Sequence, residues 1–422
     1  MNRGGGDRSF IGHNAPMTCR LESPAPAPPS TAGPLPAPLA WIGESFAAVR
    51  RAGLERPQRV RSGRQGREVE LDGRRLVNFG SNDYLGYCGD VRLTKAASKA
   101  ACAEGFGAGA SPLVSGHSQA HERLEAAIAN LLAVPAAVTF PSGFAANAAT
   151  IAALVGPGDL IASDERNHAS IIDGCRLARA EVAIYPHRDV AALDRMLAAA
   201  GPARRTLVVT DSLFSMDGTI APLADLAAVA DRHGAMLMVD EAHATGVFGD
   251  RGSGLVEAAG CAAGVHVRVG TLSKALGAAG GFVAGHAELV RWLRHAARAW
   301  IFSTAHPPAV AAAACRAIEL LAIEPERRRE LLARAAAFRD RLVAEGLDVA
   351  ACGGQIVPVV GGGAEQAVAV AGELAAEGFF VPAIRPPSVP PGKSLVRASL
   401  SWHHTPDDLT RLAAALVRHA RR

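Results

Sequence analysis

Short apolar segments alternate with alanine-rich stretches between residues 90 and 310 of this chain. The apolar segments are continuous rather than alternating with polar residues, which is typical of strands buried on both faces of a sheet. The alanine-rich stretches between them have the length and composition of helices. The expected strands are Ala137–Phe140, Leu160–Ala162, Val182–Tyr185, Thr206–Thr210, Met236–Val239, Val265–Val269 and Gly281–Ala284. This order predicts an α/β fold built on a mainly parallel seven-stranded sheet flanked by helices.

The amino-terminal end has a different pattern. Residues 1–40 are rich in proline and poor in large apolar side chains. They cannot bury enough surface to offset the entropy lost on ordering, so we expect a disordered tail. A helical pattern then runs from Trp41 to about Arg59, and the stretch Arg61–Arg75 is rich in turn residues. We expect residues 41–80 to form an N-terminal arm.

The carboxyl-terminal end combines helical patterns with short β-rich segments. Helical patterns around residues 309–345 are followed by three β-rich segments, Ile356–Val360, Phe379–Ile384 and Leu395–Ser399. Helices followed by a few separate strands are typical of a small α+β unit. We therefore expect a large domain over 81–310 and a small C-terminal domain over 311–422.

Composition narrows the class of protein. The chain has 422 residues, of which 49% are hydrophobic, and 44 basic against 40 acidic side chains. The net charge of +4 gives no reason to expect binding to nucleic acid or to a membrane surface. The chain has no apolar run of about 18 residues and no secretory signal pattern. Its seven dispersed cysteines are typical of reduced thiols, so we expect a cytoplasmic enzyme without a metal site.

Two side chains that follow predicted strands suggest a chemistry. Lys274 follows Val265–Val269, and Asp240 follows Met236–Val239. A lysine amine can form a Schiff base with a carbonyl cofactor, and a carboxylate can keep a pyridine nitrogen protonated. The pair predicts a pyridoxal phosphate site. Taken alone, Lys274 could be an ordinary surface lysine, although its small apolar neighbours make exposure less natural.

Further loops offer groups for the same site. Ser142 and Gly143 open a helix after a predicted strand, and the free N–H groups of a helix start suit a phosphate. His168 could lie flat on a cofactor ring, and Ser215 and His243 could donate to its phenolic oxygen. Each residue also has an ordinary interpretation, namely a helix cap, a solvated histidine or a β-turn.

The run from Asp240 to His243, DEAH, also resembles the magnesium-binding motif of nucleic-acid-stimulated ATPases. Those enzymes need a glycine-rich loop of the form G-x-x-x-x-G-K-[ST] before that motif. Gly392, Lys393 and Ser394 match its end, but Pro387 occupies the first glycine position and the segment follows the DEAH run. We therefore reject the ATPase interpretation.

Two residues are candidates for holding anionic groups. The planar, permanently charged side chain of Arg397, in a strand-like segment, suits a substrate carboxylate. A surface ion pair is the ordinary alternative for this arginine. Thr271 lies one expected helical turn before Lys274, where it can reach a phosphate.

These motifs occur together and in one order, and over residues 41–420 the chain resembles the α-oxoamine synthases. Those are fold-type I pyridoxal phosphate enzymes that join an amino acid to an acyl thioester with loss of CO₂. The segments that carry the resemblance are Ser81–Gly86, Gly107–Gly116, Ser142–Asn147, Asn167–Ser170, Phe214–Gly218, Asp240–His243, Thr271–Lys274 and Ser303–Thr304.

The resemblance implies a role for individual residues. The cofactor-binding residues it implies are Gly143, Phe144, His168, Ser215, Asp240, His243, Thr271, Lys274, Ser303 and Thr304. His168 would stack on the ring, Asp240 would hold the ring nitrogen and Lys274 would carry the imine, and these three are the implied catalytic residues. Asn82 and Arg397 would hold the amino acid's carboxylate. Ser303 and Thr304 would reach phosphate in a partner subunit, which implies a homodimer with shared sites.

The segment Ala383–Pro390 is similar to the signature of the biotin-pathway branch of this family. That branch condenses L-alanine with a pimeloyl thioester carried on coenzyme A or acyl carrier protein. Ser388 stands where the signature commonly has threonine, so the hydroxyl remains and the methyl is lost. The substrate arginine of the arm best matches Arg56, with Arg50 and Arg51 as alternatives, and His168 is a further implied substrate contact.

Two other functions remain open at this point. The first is another α-oxoamine synthase, such as a glycine C-acetyltransferase or a secondary-metabolite synthase. The second is a non-catalytic protein that keeps the fold as a scaffold or cofactor-binding regulator. The joint presence of Lys274, Asp240, His168 and Arg397 argues against the second.

Overall fold

The computed structural model of the chain describes residues 35–201, 203–349 and 351–420. Its strands, named β1 to β14 in chain order, are Arg61–Ser62, Glu68–Leu71, Arg74–Asn78, Ala136–Phe140, Leu160–Asp164, Glu181–Tyr185, Thr206–Asp211, Met236–Asp240, Val267–Thr271, Gly281–Gly285, Ile356–Gly362, Phe379–Phe380, Ala383–Ile384 and Ser394–Ser399. Its α-helices, α1 to α14, are Ala40–Arg51, Val91–Glu104, Gln119–Leu132, Gly143–Leu154, Ala169–Ala178, Val190–Ala199, Leu223–Arg232, Leu255–Ala258, Ala287–Ala296, Arg298–Ile301, Pro308–Ile323, Pro325–Ala344, Ala364–Ala376 and Pro406–Ala420.

The seven predicted core segments form one sheet, in the order β4-β10-β9-β8-β7-β5-β6. Strands β9, β8, β7, β5 and β6 are parallel, whereas β10 runs antiparallel to both β9 and β4. The mainly parallel sheet is therefore confirmed. The bounds of β9 were wrong at both ends, because it spans Val267–Thr271 rather than Val265–Val269, and β5 continues to Asp164 rather than ending at Ala162. The N–H of Val265 instead donates to the carbonyl of Ala262 and closes a 3-10 turn.

Burial on both faces explains why the strands are continuously apolar. In β8, Leu237 and Val239 pack into one hydrophobic cluster, and Met238 between them packs into the other. Successive side chains of a strand point to opposite faces, so a strand covered on both sides needs apolar residues at every position. On the Met238 side, Ile151 of α4 and Ile171 of α5 belong to the cover.

The amino-terminal region departs from the prediction. Helix α1 ends at Arg51 rather than near Arg59. The turn-rich stretch Arg61–Arg75 contributes strands β1 and β2 and the start of β3, which pair antiparallel to one another. Much of this sheet is exposed, and β1 and the start of β3 carry solvent-facing arginines. Its strands therefore lack the apolar continuity that revealed the central sheet.

The predicted strand Phe379–Ile384 is divided between two sheets. Phe379 and Phe380 form β12, which pairs in parallel with β3. Ala383 and Ile384 form β13, which joins a three-stranded sheet of order β11-β14-β13. Pro382 lies between them and has no N–H to continue a ladder.

The chain separates into two compact units, one ending at Ala52 and one starting at Gly53. The described part of the first unit contains the 3-10 helix Ala37–Leu39 and α1. The tail predicted over 1–40 falls outside the described residues for positions 1–34. The proposed division into arm, large domain and small domain stays a prediction. Among the described helices, none combines the length and apolar character needed to cross a membrane.

The carboxyl edge of the parallel strands collects polar side chains. Strands β5, β7 and β8 end in Asp164, Asp211 and Asp240, and β9 ends in Thr271. Open parallel sheets bind their ligands at this edge. The topology therefore assembles a polar crevice from residues that lie more than a hundred positions apart in the sequence.

Candidate active site

Two buried carboxylates lie side by side at the centre of the crevice. Asp211 of β7 and Asp240 of β8 are direct register partners, and each is 4% exposed. Oδ1 of Asp240 accepts the N–H of Ala242 at 2.7 Å, and its Oδ2 accepts from Nδ2 of Asn147 at 2.6 Å. Burial and the neighbouring Asp240 raise the pKa of Asp211 well above its usual value. The pair is thereby suited to hold a cationic or proton-bearing group.

His168 is fixed at the rim of this carboxylate pair. It is the N-cap of α5, and its backbone N–H donates to Oδ2 of Asp211 at 2.7 Å. Its Nδ1 lies 2.8 Å from Oγ of Ser170, which also accepts from Nδ2 of Asn147 at 2.9 Å. The ring remains exposed on its outer side. The predicted loop histidine is thus a helix cap whose ring orientation is set by its neighbours.

Lys274 faces the same carboxylates. It lies in the bend after β9 and is half-buried. Burial lowers the pKa of Lys274 to about 8, although the carboxylates of Asp240 and Asp211 act in the opposite direction. Its ammonium has no hydrogen-bond or ion-pair partner in the described part of the chain. A lysine with this pKa keeps a larger neutral fraction at physiological pH than an ordinary lysine, as nucleophilic attack on a carbonyl requires.

The start of α4 lies against β9 and β10. Ser142 caps the helix by accepting the N–H of Ala145 at 3.1 Å. A Cβ atom added to Gly281 would lie 2.5 Å from the carbonyl of Ser142, and one added to Gly143 would lie 3.3 Å from Cβ of Thr271. Glycine at these positions therefore lets the helix start approach the strands. The N–H groups of Gly143 and Phe144 head the helix, and they point to an anion site.

Thr271 lies on the strand side of this helix start. Its Oγ1 donates to the carbonyl of Gly280 at 2.8 Å and lies 2.7 Å from Oγ of Ser273. Thr271 is the last residue of β9, and the bend after it carries Lys274. The expected helical turn between Thr271 and Lys274 was therefore wrong. Both residues therefore lie at the carboxyl end of β9.

Four residues from three parts of the chain form a hydrogen-bonded row. Nη2 of Arg397 in β14 donates to Oδ1 of Asn82 at 2.8 Å. The hydroxyl of Tyr84 lies 3.1 Å from the same oxygen and 2.6 Å from Nδ1 of His243. Nε of Arg397 is buried and without a partner among the described residues. An unsatisfied buried guanidinium nitrogen beside an amide suits an incoming carboxylate.

A cavity of about 640 Å³ lies beside this row. Its wall includes Asn82, Ser273 and Gln65, and the exposed Arg61 and Arg64 stand at its side. Nε2 of Gln65 donates to Oγ of Ser81 at 2.6 Å, which holds part of the wall in place. The cavity therefore meets the row at Asn82 and the bend that carries Lys274 at Ser273.

The remaining predicted residues lie elsewhere in the structure. Ser215 is half-buried in the turn after β7. Ser303 and Thr304 follow α10 and line a separate small cavity with His121 and His306. Nη2 of Arg56 donates to the carbonyl of Pro386 at 3.3 Å, so Arg56 and the exposed Ser388 share a neighbourhood. The alternatives Arg50 and Arg51 end α1 in the other compact unit. Among the described residues, no hydrogen bond joins Ser215, Ser303 or Thr304 to Lys274 or Asp240.

Four polar residues of the site were missed in the sequence. They are Tyr84, Asn147, Asn167 and Asp211. The first three lie inside segments that were recognised for other members, and Asp211 directly follows the predicted strand Thr206–Thr210. The side chain of Asn167 accepts the N–H of Asp211 at 2.9 Å and donates to the carbonyl of Val209 at 2.8 Å. These two bonds connect the loop after β5 to β7. Asp211 had a usable signal, because it ends the strand next to the one that ends in Asp240. The contacts of Tyr84 and Asn147 had no signal in the sequence.

Comparison with known proteins agrees with this geometry. The pattern of the family described as aminotransferase class I and II matches residues 74–416. A relative from Anaeromyxobacter dehalogenans (strain 2CP-1), an 8-amino-7-oxononanoate synthase, is 49% identical over 379 residues, which are 90% of this chain and 95% of that protein. A protein of the same name from Geobacter sulfurreducens is 47% identical and covers 89% of this chain and 97% of its own.

Solved structures give the same result. A serine palmitoyltransferase from S. paucimobilis, solved with a pyridoxal phosphate–myriocin adduct, superposes with a TM-score of 0.86 at 32% identity, over 92% of this chain and 98% of that one. An 8-amino-7-oxononanoate synthase from Francisella tularensis gives a TM-score of 0.72 at 26% identity, over 82% and 98%. The chain therefore belongs to the class I and II aminotransferase family and, within it, to the 8-amino-7-oxononanoate synthases.

Proposed function

We propose that this protein condenses L-alanine with a pimeloyl thioester to give 8-amino-7-oxononanoate, CO₂ and the free thiol carrier, in biotin biosynthesis. The observation that carries the proposal is the position of Lys274. Its amine, with a pKa lowered to about 8, faces the carboxylates of Asp240 and Asp211 and the guanidinium of Arg397. A reactive amine between an acidic pair and a carboxylate-binding arginine suits an amino acid substrate and a carbonyl cofactor.

The residues present fit pyridoxal phosphate. Lys274 would attach its carbonyl carbon, Asp240 would hold its ring nitrogen and His168 would cover its ring. The N–H groups of Gly143 and Phe144 at the start of α4, with the hydroxyl of Thr271, would hold its phosphate. The hydroxyl of Ser215 and the imidazole of His243 would contact its phenolic oxygen. When bound, this cofactor supplies an electron sink that stabilises negative charge at the substrate's α-carbon.

The chain's own residues orient and deprotonate the substrate. Arg397 and Asn82 would hold the carboxylate of L-alanine, which fixes the Cα–H bond relative to the cofactor ring. The neutral amine of Lys274 would remove the proton from Cα and return one after CO₂ has left. The cavity beside Asn82 and Ser273 offers a path for the thioester, and Arg56 and Ser388 would contact the acyl chain.

The proposal includes a homodimer with shared sites. Phe302 is 70% exposed and directly precedes Ser303. The N–H of Ala305 donates to the carbonyl of Ala110, which brings in the segment containing Leu113 and Val114, exposed to 56% and 78%. Large apolar side chains grouped on a surface favour a subunit contact. In such a dimer Ser303 and Thr304 would reach the phosphate bound by the partner. A cytoplasmic location is also part of this proposal.

Substrate competition tests the proposal. Purified protein supplied with pyridoxal phosphate is offered L-alanine or glycine, each with pimeloyl-CoA, pimeloyl-acyl carrier protein or acetyl-CoA, and products are identified by mass spectrometry. We expect L-alanine with a pimeloyl thioester to give the highest turnover. Preference for glycine with acetyl-CoA would instead assign the protein to the glycine C-acetyltransferase activity. Visible absorbance from bound cofactor without turnover of any thioester would indicate a cofactor-binding regulator.

A further inference from the structure

We propose that Tyr84 is a positioning residue whose hydroxyl holds His243 in the tautomer that donates from Nε2. The inference rests on the proposed function, because it concerns the histidine that would contact the cofactor's phenolic oxygen. Tyr84 would act through His243, whose Nδ1 lies 2.6 Å from the tyrosine hydroxyl.

Tyr84 is fully buried, with 0% of its surface exposed. Its hydroxyl lies 2.6 Å from Nδ1 of His243 and 3.1 Å from Oδ1 of Asn82. A phenol has one proton to donate, so only one of these two acceptors can receive it at a time. Burial raises the pKa of Tyr84 to about 12, and the hydroxyl therefore keeps its proton over the physiological range. The acceptor that receives this proton decides which ring nitrogen of His243 carries the proton of the imidazole.

Asn82 has a better donor than Tyr84. Its Oδ1 accepts from the guanidinium of Arg397 at 2.8 Å, a shorter contact than the 3.1 Å to Tyr84. Hydrogen bonds from a charged donor are stronger than those from a neutral hydroxyl. With Asn82 satisfied by Arg397, the proton of Tyr84 is directed to the closer acceptor, Nδ1 of His243.

His243 is held neutral by its surroundings. It is 5% exposed, and burial lowers its pKa well below the usual value. The charged or titratable groups that face it besides Tyr84 are Lys274, Arg397 and His168, and each lowers the pKa further. A neutral imidazole carries one proton, so acceptance at Nδ1 leaves that proton on Nε2. The carbonyl of His243 accepts from Nε2 of Gln355 at 2.8 Å, which fixes the backbone that carries the ring.

The consequence is a donor at the place where the phenolic oxygen would lie. An Nε2–H group withdraws charge from that oxygen, whereas a bare Nε2 would repel it. In Tyr84→Phe the ring keeps its shape, but Nδ1 loses its hydroxyl donor and Nε2 is no longer the favoured donor. Without this donor, the phenolic oxygen holds more strongly the proton that it shares with the imine nitrogen of Lys274. The bound cofactor should therefore lose that proton at a higher pH.

The first test is a pH titration of the visible absorbance of the bound cofactor. It compares wild type with Tyr84→Phe and with Tyr87→Phe, a control that removes another buried hydroxyl three residues away, one directed to Glu324. We expect the midpoint of Tyr84→Phe to rise by about one pH unit, while Tyr87→Phe titrates like wild type. A Tyr84→Phe protein that binds the cofactor and titrates like wild type would overturn the inference alone. A wild type that binds no pyridoxal phosphate would overturn the proposed function as well.

The second test observes the wild-type protein and does not need Tyr84→Phe to fold. Nitrogen-15 NMR of wild-type holoenzyme labelled at histidine distinguishes the two neutral tautomers, and His243→Asn identifies the resonance among the 14 histidines. We expect a neutral ring protonated at Nε2. A ring protonated at Nδ1 would mean that Tyr84 donates to Asn82, and the inference would be wrong.

Discussion

Nδ2 of Asn147 donates to Oδ2 of Asp240 across 2.6 Å. Asn147 lies one turn into α4, the helix whose first N–H groups head the proposed phosphate site. The same amide also donates to Oγ of Ser170, beside His168. One helix thus links the groups proposed to hold the cofactor's phosphate, its ring nitrogen and its ring face, and substitutions at these points should have separable effects.

Replacing Asp240 should remove activity while leaving the fold intact. In Asp240→Asn the amide cannot stabilise a proton on the ring nitrogen, so the electron sink weakens. We expect kcat to fall by at least about a hundredfold, with the protein still able to bind cofactor. Steady-state kinetics and cofactor content measure the two effects. The control is Asp231→Asn on the exposed end of α7, and a fall of similar size there would contradict the assignment.

Replacing Lys274 should abolish covalent attachment of the cofactor. Lys274→Ala has no amine to join the carbonyl or to move the Cα proton, so we expect loss of the attached-cofactor absorbance and a fall in turnover of about 10⁴-fold. Borohydride reduction followed by peptide mass mapping should find the cofactor on Lys274 in wild type. Lys95→Ala, on the exposed side of α2, serves as the control and should behave like wild type. Normal activity in Lys274→Ala would refute its role.

Lys274 should react at lower pH than an ordinary lysine. Burial lowers its pKa to about 8, and since only the neutral amine is nucleophilic, its reactivity should reach half its maximum near that pH. A model lysine amide added to the same solution should reach half-maximum near ~10.4. The measurement is the rate of acetylation of cofactor-free protein at a series of pH values, read by mass spectrometry. A profile matching the model amide would show that burial does not favour the neutral amine.

Arg397 should control affinity for the amino acid and not for the thioester. Arg397→Lys keeps the charge but loses the fork that serves both a carboxylate and Asn82. We expect KM for L-alanine to rise by about ten- to a hundredfold, with KM for the pimeloyl thioester changed little. Arg176→Lys, on an exposed position of α5, is the matched control. Equal rises in both KM values would indicate that Arg397 stabilises the fold and does not specifically bind the amino acid.

Shared sites predict complementation between inactive subunits. Lys274→Ala removes the attachment point, and a Ser303→Ala/Thr304→Ala double variant weakens the phosphate contacts proposed to cross the dimer. Unfolding and refolding a mixture of the two should create hybrids with one intact site, and random pairing should restore about a quarter of wild-type activity. Size-exclusion chromatography with light scattering checks the dimer. Absence of recovery in a dimeric mixture would mean that each site is built from one subunit.

The central sheet was predictable because burial on both faces produces a simple pattern in the sequence. Each of its strands needs apolar residues at successive positions, so all seven were found and only the position of β9 was shifted by two residues. The antiparallel strands β1 to β3 were missed because arginine and glutamate occupy their solvent-facing positions. The splitting of Phe379–Ile384 between two sheets follows from pairing partners, which no local pattern contains.

The amino-acid sequence by itself determined where the core's apolar segments lie along the chain and which reactive groups follow them, because hydrophobic patterning and chemical type are local properties. Tertiary structure alone decided which of those groups meet. Tyr84 and His243 are 159 positions apart, and Arg397 and Asn82 are 315 apart, yet each pair shares a hydrogen bond. Such contacts depend on how strands register and loops pack, and therefore on distances that exist only in the folded chain.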